Sequence, residues 1–393
     1  MRWLAQQLQQ LEAKGLQRRL RPLAAAGPYV ERNGCRLLNL ASNDYLGLST
    51  DARLVAAARA ALERWGVGAG AARLVVGDRP VHEALEAALA ALKETEAALV
   101  FPSGYAANVG VLSALAGPRD QIFADALNHA SLNDGARLSR ARFRYYRHRD
   151  LEQLEQLLRG PGPAPGGRRF IVTDAIFSMD GTVAPLPALA ELAARYEAVL
   201  VVDDAHGTGI VGPEGRGTAH HLGVADRIPV QVATLSKALG VQGGAVLGAR
   251  ALVDFLLHRA RAFIYSTGIA PVLAAAALEA VRLVQTEEGE RRRQQQQAHL
   301  ARLKAGLEAR GHTVRHEPPA PMLAVLVGTP EAALRLSALL ETRGVLAPAI
   351  RPPTVPAGTS RIRLAPMATH TDDDIEAALD AFPEAERIQA HAR

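Results

Sequence analysis

The sequence is poor in cysteine, in long apolar segments and in aromatic residues, and each scarcity excludes a class of protein. Cys35 is its single cysteine, which excludes an intramolecular disulfide and favours a reducing compartment. No stretch is both apolar and uncharged over the length needed to cross a bilayer, and the first residues do not resemble a secretory signal. Aromatic residues make up 4% of the sequence, which leaves little material for stacking on bases. These features predict a cytoplasmic protein that binds neither membranes nor nucleic acid.

Lysine is also scarce: the 45 basic residues include lysine only at positions 14, 93, 237 and 304. Of these, only Lys237 follows an apolar strand-like run, residues 230–234, and stands among small and hydroxyl residues. A lysine in such a loop can form a Schiff base with a carbonyl cofactor, while the Thr234 and Ser236 hydroxyls donate to a phosphate. The alternative interpretation is an ordinary surface lysine.

A second group of polar residues follows the apolar run at residues 199–202. Asp203, Asp204 and His206 lie at the carboxyl end of a predicted parallel strand, where open α/β sheets bind ligands. We expect Asp203 to be the carboxylate that faces a cofactor. A hard-metal site made from these three residues is the competing interpretation. A metal site needs more ligands than these three residues, however, and the metal interpretation gives Lys237 no function.

Apolar runs alternate with Ala- and Leu-rich helical patterns through the middle of the chain. The strand-like runs are residues 99–101, 121–124, 170–173, 199–202, 230–234 and 245–248. This alternation predicts an α/β fold with a mostly parallel sheet. We expect a helical arm over residues 1–45, a large α/β domain over residues 46–285 and a smaller α+β domain over residues 286–393. The Arg- and Gln-rich run at residues 291–297 is expected to line a solvated helix face.

The sequence SGYAAN at residues 103–108 follows the first strand-like run and opens a predicted helix. Free backbone N–H groups and the helix dipole bind phosphate, so Gly104 and Tyr105 are candidate phosphate contacts. A simple strand-to-helix turn is the alternative. The glycines at positions 66, 68 and 70 are not a dinucleotide fingerprint, because they follow a helical pattern rather than a strand.

Short motifs in a fixed order resemble the α-oxoamine synthase family almost from end to end. They are SNDYLGL (42–48), SGYAAN (103–108), NHAS (128–131), FSMDG (177–181), DDAHGTG (203–209), the Lys237 loop and YST (265–267). The resemblance implies a fold-type I transferase that depends on pyridoxal 5'-phosphate and forms a homodimer with its active site at the interface. Ala69 and Ala72 depart from the family, which carries serines there, and this removes two hydroxyl donors.

The resemblance also implies roles for individual residues. Lys237 would hold the cofactor and act as the base on the substrate α-proton, while Asp203 would keep the cofactor ring protonated. His129 would stack on the ring, and Ser178 and His206 would bond its phenolic oxygen. The remaining implied contacts are Thr234 and, across the dimer, Thr267 for the phosphate, and Arg18, Asn43, Thr354 and Arg363 for the substrates, with His129 also within reach of them.

The segment at residues 350–363 most resembles the biotin-pathway branch of the family. That resemblance implies decarboxylative condensation of L-alanine with a pimeloyl thioester, on coenzyme A or a carrier protein, with the alanine carboxylate bound by Arg363. The net charge of +5 would add some attraction for an anionic thioester. The alternatives are a sister synthase such as glycine C-acetyltransferase and, more distantly, a metal-binding or non-catalytic α/β protein.

Overall fold

The computed structural model describes residues 1–13, 18 and 20–386. Within them the strands are β1 (Tyr29–Arg32), β2 (Cys35–Asn39), β3 (Ala97–Phe101), β4 (Gln121–Asp125), β5 (Arg142–Tyr146), β6 (Arg169–Asp174), β7 (Ile176–Phe177), β8 (Thr182–Val183), β9 (Ala198–Asp203), β10 (Val230–Thr234), β11 (Gly244–Gly248), β12 (Val314–Arg315), β13 (Leu323–Gly328), β14 (Val345–Leu346), β15 (Ala349–Ile350) and β16 (Ser360–Leu364). The helices are α1 (Arg2–Ala13), α2 (Ala52–Trp65), α3 (Pro80–Leu92), α4 (Gly104–Leu115), α5 (Ala130–Leu138), α6 (Leu151–Arg159), α7 (Leu186–Arg195), α8 (Thr218–His221), α9 (Arg250–Arg259), α10 (Arg261–Ile264), α11 (Pro271–Val284), α12 (Glu287–Ala309), α13 (Pro330–Thr342) and α14 (Asp372–Ala381).

The largest sheet has the strand order β3-β11-β10-β9-β6-β4-β5. Strands β10, β9, β6, β4 and β5 pair in parallel, and β11 is antiparallel to both of its neighbours. The predicted mostly parallel α/β sheet is confirmed, and each strand-like run of the sequence is one of its strands. Strand β5 was not predicted, because Arg142 and Arg144 interrupt its apolar pattern; charged side chains of this kind are typical of an edge strand.

Continuous apolar runs place most of these strands in the interior. Strands β3, β4 and β10 are buried along their whole length. On one face of the sheet Val246 packs with Val111 of α4, and on the other Leu200 packs with Leu189 of α7. Because helices cover both faces, the carboxyl edge of the sheet is the place where polar side chains can gather.

Several of the predicted site residues meet at that carboxyl edge. Strand β6 ends at Asp174, β9 ends at Asp203 and β10 ends at Thr234. Strand β3 runs in the same direction, because two successive antiparallel pairings through β11 restore its orientation. It leads into Ser103, the N-cap of α4, whose hydroxyl accepts the Ala106 N–H at 3.1 Å. The sheet topology therefore delivers the start of α4 to the same edge as the strand-end acids.

A smaller unit is built around the sheet β12-β13-β16-β15. Its core combines apolar residues of α12, α13 and α14, including Leu300, Leu340 and Ile375. Strand β2 pairs with β1 and also, in parallel, with β14, so that Leu38 lies opposite Val345. The passage over residues 29–39 thus packs with the carboxyl-terminal part of the chain. The division at residues 45 and 285 stays a prediction.

Helix α12 corrects one expectation from the sequence. Its polar run was expected to line a solvated face; Arg291, Gln294 and Gln295 are exposed as expected, but Arg293 and Gln296 are buried. Arg293 donates to the Val284 carbonyl at 2.6 Å, and Gln296 donates to the Pro321 carbonyl at 2.9 Å. These side chains satisfy carbonyl groups at the junction with the small unit, so they are structural rather than solvating. None of the described helices combines the length and the apolar character needed to cross a membrane.

Candidate active site

Lys237 lies in a tight loop that directly follows β10. The loop is closed by backbone bonds from Leu235 N–H to the Gly243 carbonyl at 3.0 Å and from Gly240 N–H to the Lys237 carbonyl at 2.9 Å. Gly240 has a φ of 68°, and a Cβ there would lie 2.5 Å from the Ser49 backbone nitrogen. The close approach requires glycine, and the resulting turn directs the Lys237 side chain into a cavity at the carboxyl edge of the sheet.

That cavity has a volume of about 220 Å³. Every residue predicted to bind the cofactor lines it except Thr267. Its lining residues are Ser103, Gly104, Tyr105, Asn108, His129, Ser131, Asp174, Ser178, Asp203, Ala205, His206, Thr234, Ser236 and Lys237. The cavity therefore brings together residues that lie up to 134 positions apart in the sequence, from Ser103 to Lys237.

The Asp203 carboxylate is held in a fixed orientation. Its Oδ2 accepts the Asn108 side-chain N–H at 2.6 Å, and its Oδ1 accepts the Ala205 backbone N–H at 2.9 Å. The same Asn108 amide nitrogen donates to the Ser131 hydroxyl at 2.9 Å. Two donors, one on α4 and one in the loop after β9, leave the carboxylate little freedom to rotate, so it presents a defined oxygen to whatever occupies the cavity.

A chain of hydrogen bonds runs from Arg363 to Lys237. Arg363 Nη2 donates to the Tyr45 hydroxyl at 3.2 Å, and that hydroxyl lies 2.7 Å from His206 Nδ1. His206 Nε2 lies 2.8 Å from Lys237 Nζ. Because the Tyr45 hydroxyl donates to Asn43 Oδ1 at 3.2 Å, we assign the proton of the neutral imidazole to Nδ1 and the free lone pair to Nε2. His206 thus accepts a hydrogen bond from the lysine amine.

Burial sets the protonation of this chain. It lowers the pKa of Lys237 from 10.5 to about 8, with the nearby Asp203 carboxylate opposing the shift. Burial also lowers the pKa of His206 well below its usual range, and the charge of Lys237 adds to that effect. Burial raises the pKa of Tyr45 to about 12. The histidine is therefore neutral, and a larger fraction of the lysine is in the amine form near neutral pH than for an exposed lysine.

Arg363 is a buried guanidinium without a carboxylate partner among the described residues. Its Nε donates to the Ser178 carbonyl at 2.7 Å and its Nη2 to Asn43 Oδ1 at 2.8 Å. Both acceptors are neutral, and the side chain is 5% exposed. A buried cation held only by neutral acceptors is suited to receive an anionic ligand group.

Two further cavities continue from the Lys237 cavity. The first, of about 570 Å³, shares His129 and Ser178 with it and is also lined by Asn128, Asp180 and Thr354. The second, of about 680 Å³, shares Thr354 with the first and is lined by Arg18, Leu8 and Leu11. The predicted substrate residues Arg18 and Thr354 therefore line cavities that adjoin one another, and the inner of these adjoins the Lys237 cavity. Thr267 is exposed and lies outside all three cavities.

Comparison with known proteins identifies the family. A family model described as aminotransferase class I and II matches residues 36–382. The 8-amino-7-oxononanoate synthase of Anaeromyxobacter dehalogenans (strain 2CP-1 / ATCC BAA-258) is 50% identical over 381 residues, covering 97% of this chain and 94% of the relative. That of Anaeromyxobacter sp. (strain Fw109-5) is 51% identical over 387 residues, covering 98% and 96%. The chain belongs to the 8-amino-7-oxononanoate synthase family.

Solved structures agree with this family assignment. A serine palmitoyltransferase from Sphingomonas wittichii has a TM-score of 0.91 at 30% identity, covering 99% of this chain and 97% of that one. An 8-amino-7-oxononanoate synthase from Francisella tularensis has a TM-score of 0.76 at 26% identity, covering 91% and 99%. A serine palmitoyltransferase with pyridoxal phosphate bound has a TM-score of 0.91 at 29% identity, covering 98% and 96%. The predicted fold class and the predicted transferase class are confirmed.

The donor groups of the cavity fit the cofactor of this family. The first turn of α4 offers backbone N–H groups of Gly104 and Tyr105, as at the start of any α-helix. The hydroxyls of Thr234 and Ser236 lie 2.7 Å apart beside it, and a Cβ on Gly104 would approach Thr234 Oγ1 to 3.2 Å. Glycine thus keeps open a space bordered by phosphate donors, with a lysine amine and an oriented carboxylate facing the same cavity.

A metal site at the strand end is not supported by the contacts of its proposed ligands. Among the described residues no three His, Cys, Asp or Glu side chains are grouped to hold a metal ion. Asp204, which that interpretation needed as a ligand, instead binds Lys93 Nζ at 2.6 Å. His206 directs its two ring nitrogens at Tyr45 and Lys237.

Four residues of the site were missed from the sequence: Tyr45, Asn108, Ser131 and Asp174. Tyr45, Asn108 and Ser131 stand inside the family motifs, but motif membership alone did not reveal their contacts. Asp174 had a usable signal, since it ends β6 as Asp203 ends β9, and the two are paired residues of neighbouring strands. Asp174 accepts the His129 backbone N–H at 2.8 Å. Burial and the adjacent Asp203 raise the pKa of Asp174 well above its usual range.

Proposed function

We propose that this chain condenses L-alanine with a pimeloyl thioester to give 8-amino-7-oxononanoate, carbon dioxide and a free thiol, using pyridoxal 5'-phosphate. The observation that carries the proposal is the Lys237 amine, whose pKa burial lowers to about 8 and which faces His206 and an oriented Asp203. The names of the relatives that are about 50% identical to this chain supply the substrates. The reaction belongs to biotin biosynthesis.

The proposed cofactor contacts follow from the lining of the cavity. Gly104, Tyr105 and Thr234 bind the phosphate, with Ser236 beside Thr234. Asp203 pairs with the ring nitrogen. His129 lies against the ring, and the walls of the cavity lower the pKa of its imidazole, which favours a neutral stacking partner. Ser178 and His206, which line the same cavity, bond the phenolic oxygen.

When bound, pyridoxal 5'-phosphate supplies an aldehyde that bonds to amines and a ring that accepts the electrons released at the substrate α-carbon. The chain supplies the proton transfers. Lys237 Nζ would hold the cofactor and would take the α-proton of the bound alanine, and a pKa of about 8 places a useful fraction of the amine in the basic form. His206 Nε2, 2.8 Å away, keeps that amine directed into the cavity.

Arg363 binds the alanine carboxylate in this proposal. Its guanidinium is already oriented by Ser178 and Asn43, so little side-chain freedom is lost when the substrate arrives. The Asn43 amide oxygen and the Tyr45 hydroxyl stand beside the same guanidinium, which places Asn43 at the amino-acid site. The carboxylate held here leaves as carbon dioxide after the new carbon–carbon bond has formed and the thiol has been expelled.

The acyl donor occupies the two outer cavities. Thr354 lines both of them, and Arg18 lines the outermost with Leu8 and Leu11 of α1. Apolar side chains suit the methylene chain, and the arginine suits an anionic group of the donor. The same arrangement serves coenzyme A or a carrier protein, since both deliver the thioester through the opening at α1.

We further propose a homodimer that works in the cytoplasm. Leu74, Val75 and Val76 are 55%, 72% and 64% exposed, which is an unusual apolar patch for an isolated subunit. This patch lies beside the YST motif, because the Gly268 N–H donates to the Ala71 carbonyl at 3.0 Å. An interface here would carry Thr267 toward the cofactor phosphate of the second subunit.

The test is a visible-absorbance titration of the purified protein with pyridoxal phosphate, followed by L-alanine, glycine and L-serine separately and then pimeloyl-CoA. We expect a response to alanine, product formation with pimeloyl-CoA, and neither in Lys237→Ala. A response confined to glycine or serine would move the function to a sister synthase of the family. Absence of any Lys237-dependent absorbance would refute the site.

A further inference from the structure

Lys93 is a buried lysine that the proposed reaction does not use. It caps the carboxyl end of α3, and its side chain is fully enclosed at 0% exposure. Its Nζ donates to Asp204 Oδ2 at 2.6 Å and to the Arg216 carbonyl at 2.7 Å. Asp204 is 1% exposed. The two side chains therefore form a buried ion pair one residue away from Asp203.

Asp204 joins the loop that follows β9 to the start of α8 through this pair. Its carboxylate accepts the Thr218 backbone N–H at 3.1 Å, and its backbone carbonyl accepts the Thr208 N–H at 2.9 Å. A Cβ on Gly207 would lie 2.1 Å from Asp204 Oδ1, and a Cβ on Gly217 would lie 1.9 Å from Oδ2. At these two glycines the backbone packs directly against the Asp204 carboxylate. The Lys93–Asp204 pair therefore cannot shift unless the backbone around Gly207 and Gly217 moves as well.

The surroundings of the pair are poor in other countercharges. Arg216 offers only its backbone carbonyl to Lys93, while its guanidinium pairs with Glu94 and Glu214 at the surface. His220 lies 3.3 Å from Glu94, and its pKa is lowered by burial. Lys93 is therefore the cation that compensates Asp204. A buried ion pair is in general a weak source of stability, because removing both charges from water costs about what their attraction returns.

Asp204 is held in place by these contacts, Asp203 directly precedes it in the sequence, and His206 follows it by two positions. We propose that the Lys93–Asp204 pair is a positioning element of the active site, which holds the backbone that carries the Asp203 carboxylate and the His206 imidazole against Lys237. Neither partner touches a substrate. Its effect on catalysis passes through the alignment of Asp203 and His206, and through the charge balance around the Lys237 amine.

The charge balance can be stated group by group. The carboxylates of Asp203 and Asp174 and, more weakly, of Asp204 raise the pKa of the Lys237 amine, whereas burial and Arg363 lower it. The other titratable side chains nearby are His206, which bonds the amine, His129 and Tyr105, which line the same cavity, and Tyr45, which bonds His206. Lys93 opposes Asp204 from the far side of the loop. Removing one member of the pair should therefore shift the titration of Lys237, and removing both should restore it.

The experiment compares Lys93→Met, Asp204→Asn and the double variant with the parent protein. The control is Lys304→Met, which removes a lysine from an ion pair with Glu308 at the surface. The first readout is the pH dependence of Lys237 acetylation in the cofactor-free protein, measured by peptide mass spectrometry. It needs no catalysis, so it is independent of the proposed function. The second readout, which rests on that function, is kcat and the alanine KM of the loaded enzyme.

We expect Asp204→Asn to lower the pH of half-maximal Lys237 reactivity and Lys93→Met to raise it. Each should lower kcat on the order of tenfold or more, with the alanine KM changed less, because alignment is lost while Arg363 is untouched. The double variant should return the Lys237 titration close to that of the parent and recover most of kcat. If a single variant does not fold, the neutral double variant still carries the test.

Two outcomes would overturn the proposal. In one, both single variants lower only the unfolding midpoint and leave the Lys237 titration and kcat within twofold of the parent, which is the behaviour of a structural pair. In the other, the double variant is as impaired as the worse single variant, which would mean that charge compensation between the two side chains does not position the loop.

Discussion

Replacing Arg363 by methionine removes the only guanidinium that we assign to the alanine carboxylate. The side chain is 5% exposed and is oriented by bonds to Ser178 and Asn43. Methionine has a similar length and no charge, so it keeps much of the packing while it deletes every donor. The change therefore separates recognition of the carboxylate from the shape of the cavity.

The size of the effect follows from the bonds that are lost. A hydrogen bond to a charged group contributes about 1.5–3 kcal/mol, so one lost bond weakens alanine binding by about 10- to 100-fold. A second effect has a definite sign. Arg363 helps to lower the pKa of Lys237, so its removal should raise that pKa and move the rising limb of kcat, which reports the substrate complex in which the amine is free, to higher pH. A base with a higher pKa needs a higher pH to lose its proton.

Initial rates measured over a series of alanine concentrations and pH values test both effects in one data set. Arg363→Lys keeps the charge but loses the parallel donors, so it should raise the alanine KM with little movement of the pH limb. Arg282→Met, on a side chain that is 65% exposed, is the control for loss of a surface arginine. An alanine KM within twofold of the parent in Arg363→Met would refute the carboxylate assignment, whatever happened to the pH limb.

Three further changes test the site and its supports. Lys237→Met should stabilise the cofactor-free protein below pH 8, because folding lowers the pKa of that amine from 10.5 to about 8 and the unfolded chain binds the proton more tightly. In urea unfolding the gain should fade as the pH rises toward 10.5, and a gain that does not depend on pH would contradict this. Arg361→Met should lower the free energy of unfolding in urea by about 3 kcal/mol, because it removes one of the two arginines that pair with the buried Asp180 carboxylate and leaves only Arg315. An unchanged unfolding midpoint would argue against the Arg361–Asp180 pair. Gly244→Ala should weaken cofactor binding about tenfold or more in an absorbance titration, since its Cβ would lie 2.5 Å from the Cα at the start of α4; unchanged affinity would show that α4 can give way.

The carboxyl edge of the sheet was predictable because local patterns and topology agree there. A buried apolar run that ends in Asp203, and another that ends before Lys237, already implied a shared edge once the strands were taken as parallel. The start of α4 was predictable for the same reason, because SGYAAN follows β3 and its serine is a good N-cap. These inferences needed only neighbours in sequence and the direction of the strands.

Contacts between distant segments were not predictable from those patterns. The bonds from Arg363 to Asn43 and Tyr45 join positions 320 and 318 residues apart. No periodicity in either segment encodes that meeting, which depends on how the small unit docks on the large one. The burial of Lys93 could not be predicted either. A lysine at a helix end is expected to be exposed to solvent unless the carboxylate that it binds, here Asp204, is known.

The pairing of β2 with β14 has a consequence for how the chain is made on the ribosome. About 300 residues separate the two strands, and at about 5–20 residues per second β2 waits roughly 15–60 s for its partner to emerge. During that interval the large sheet can form, but Leu37 and Leu38 of β2 have no companion strand on one side. The same delay applies to the SNDYLGL segment, which meets Arg363 only when β16 has been synthesised. Nascent chains that stop before β16 would carry the cofactor cavity without its amino-acid site.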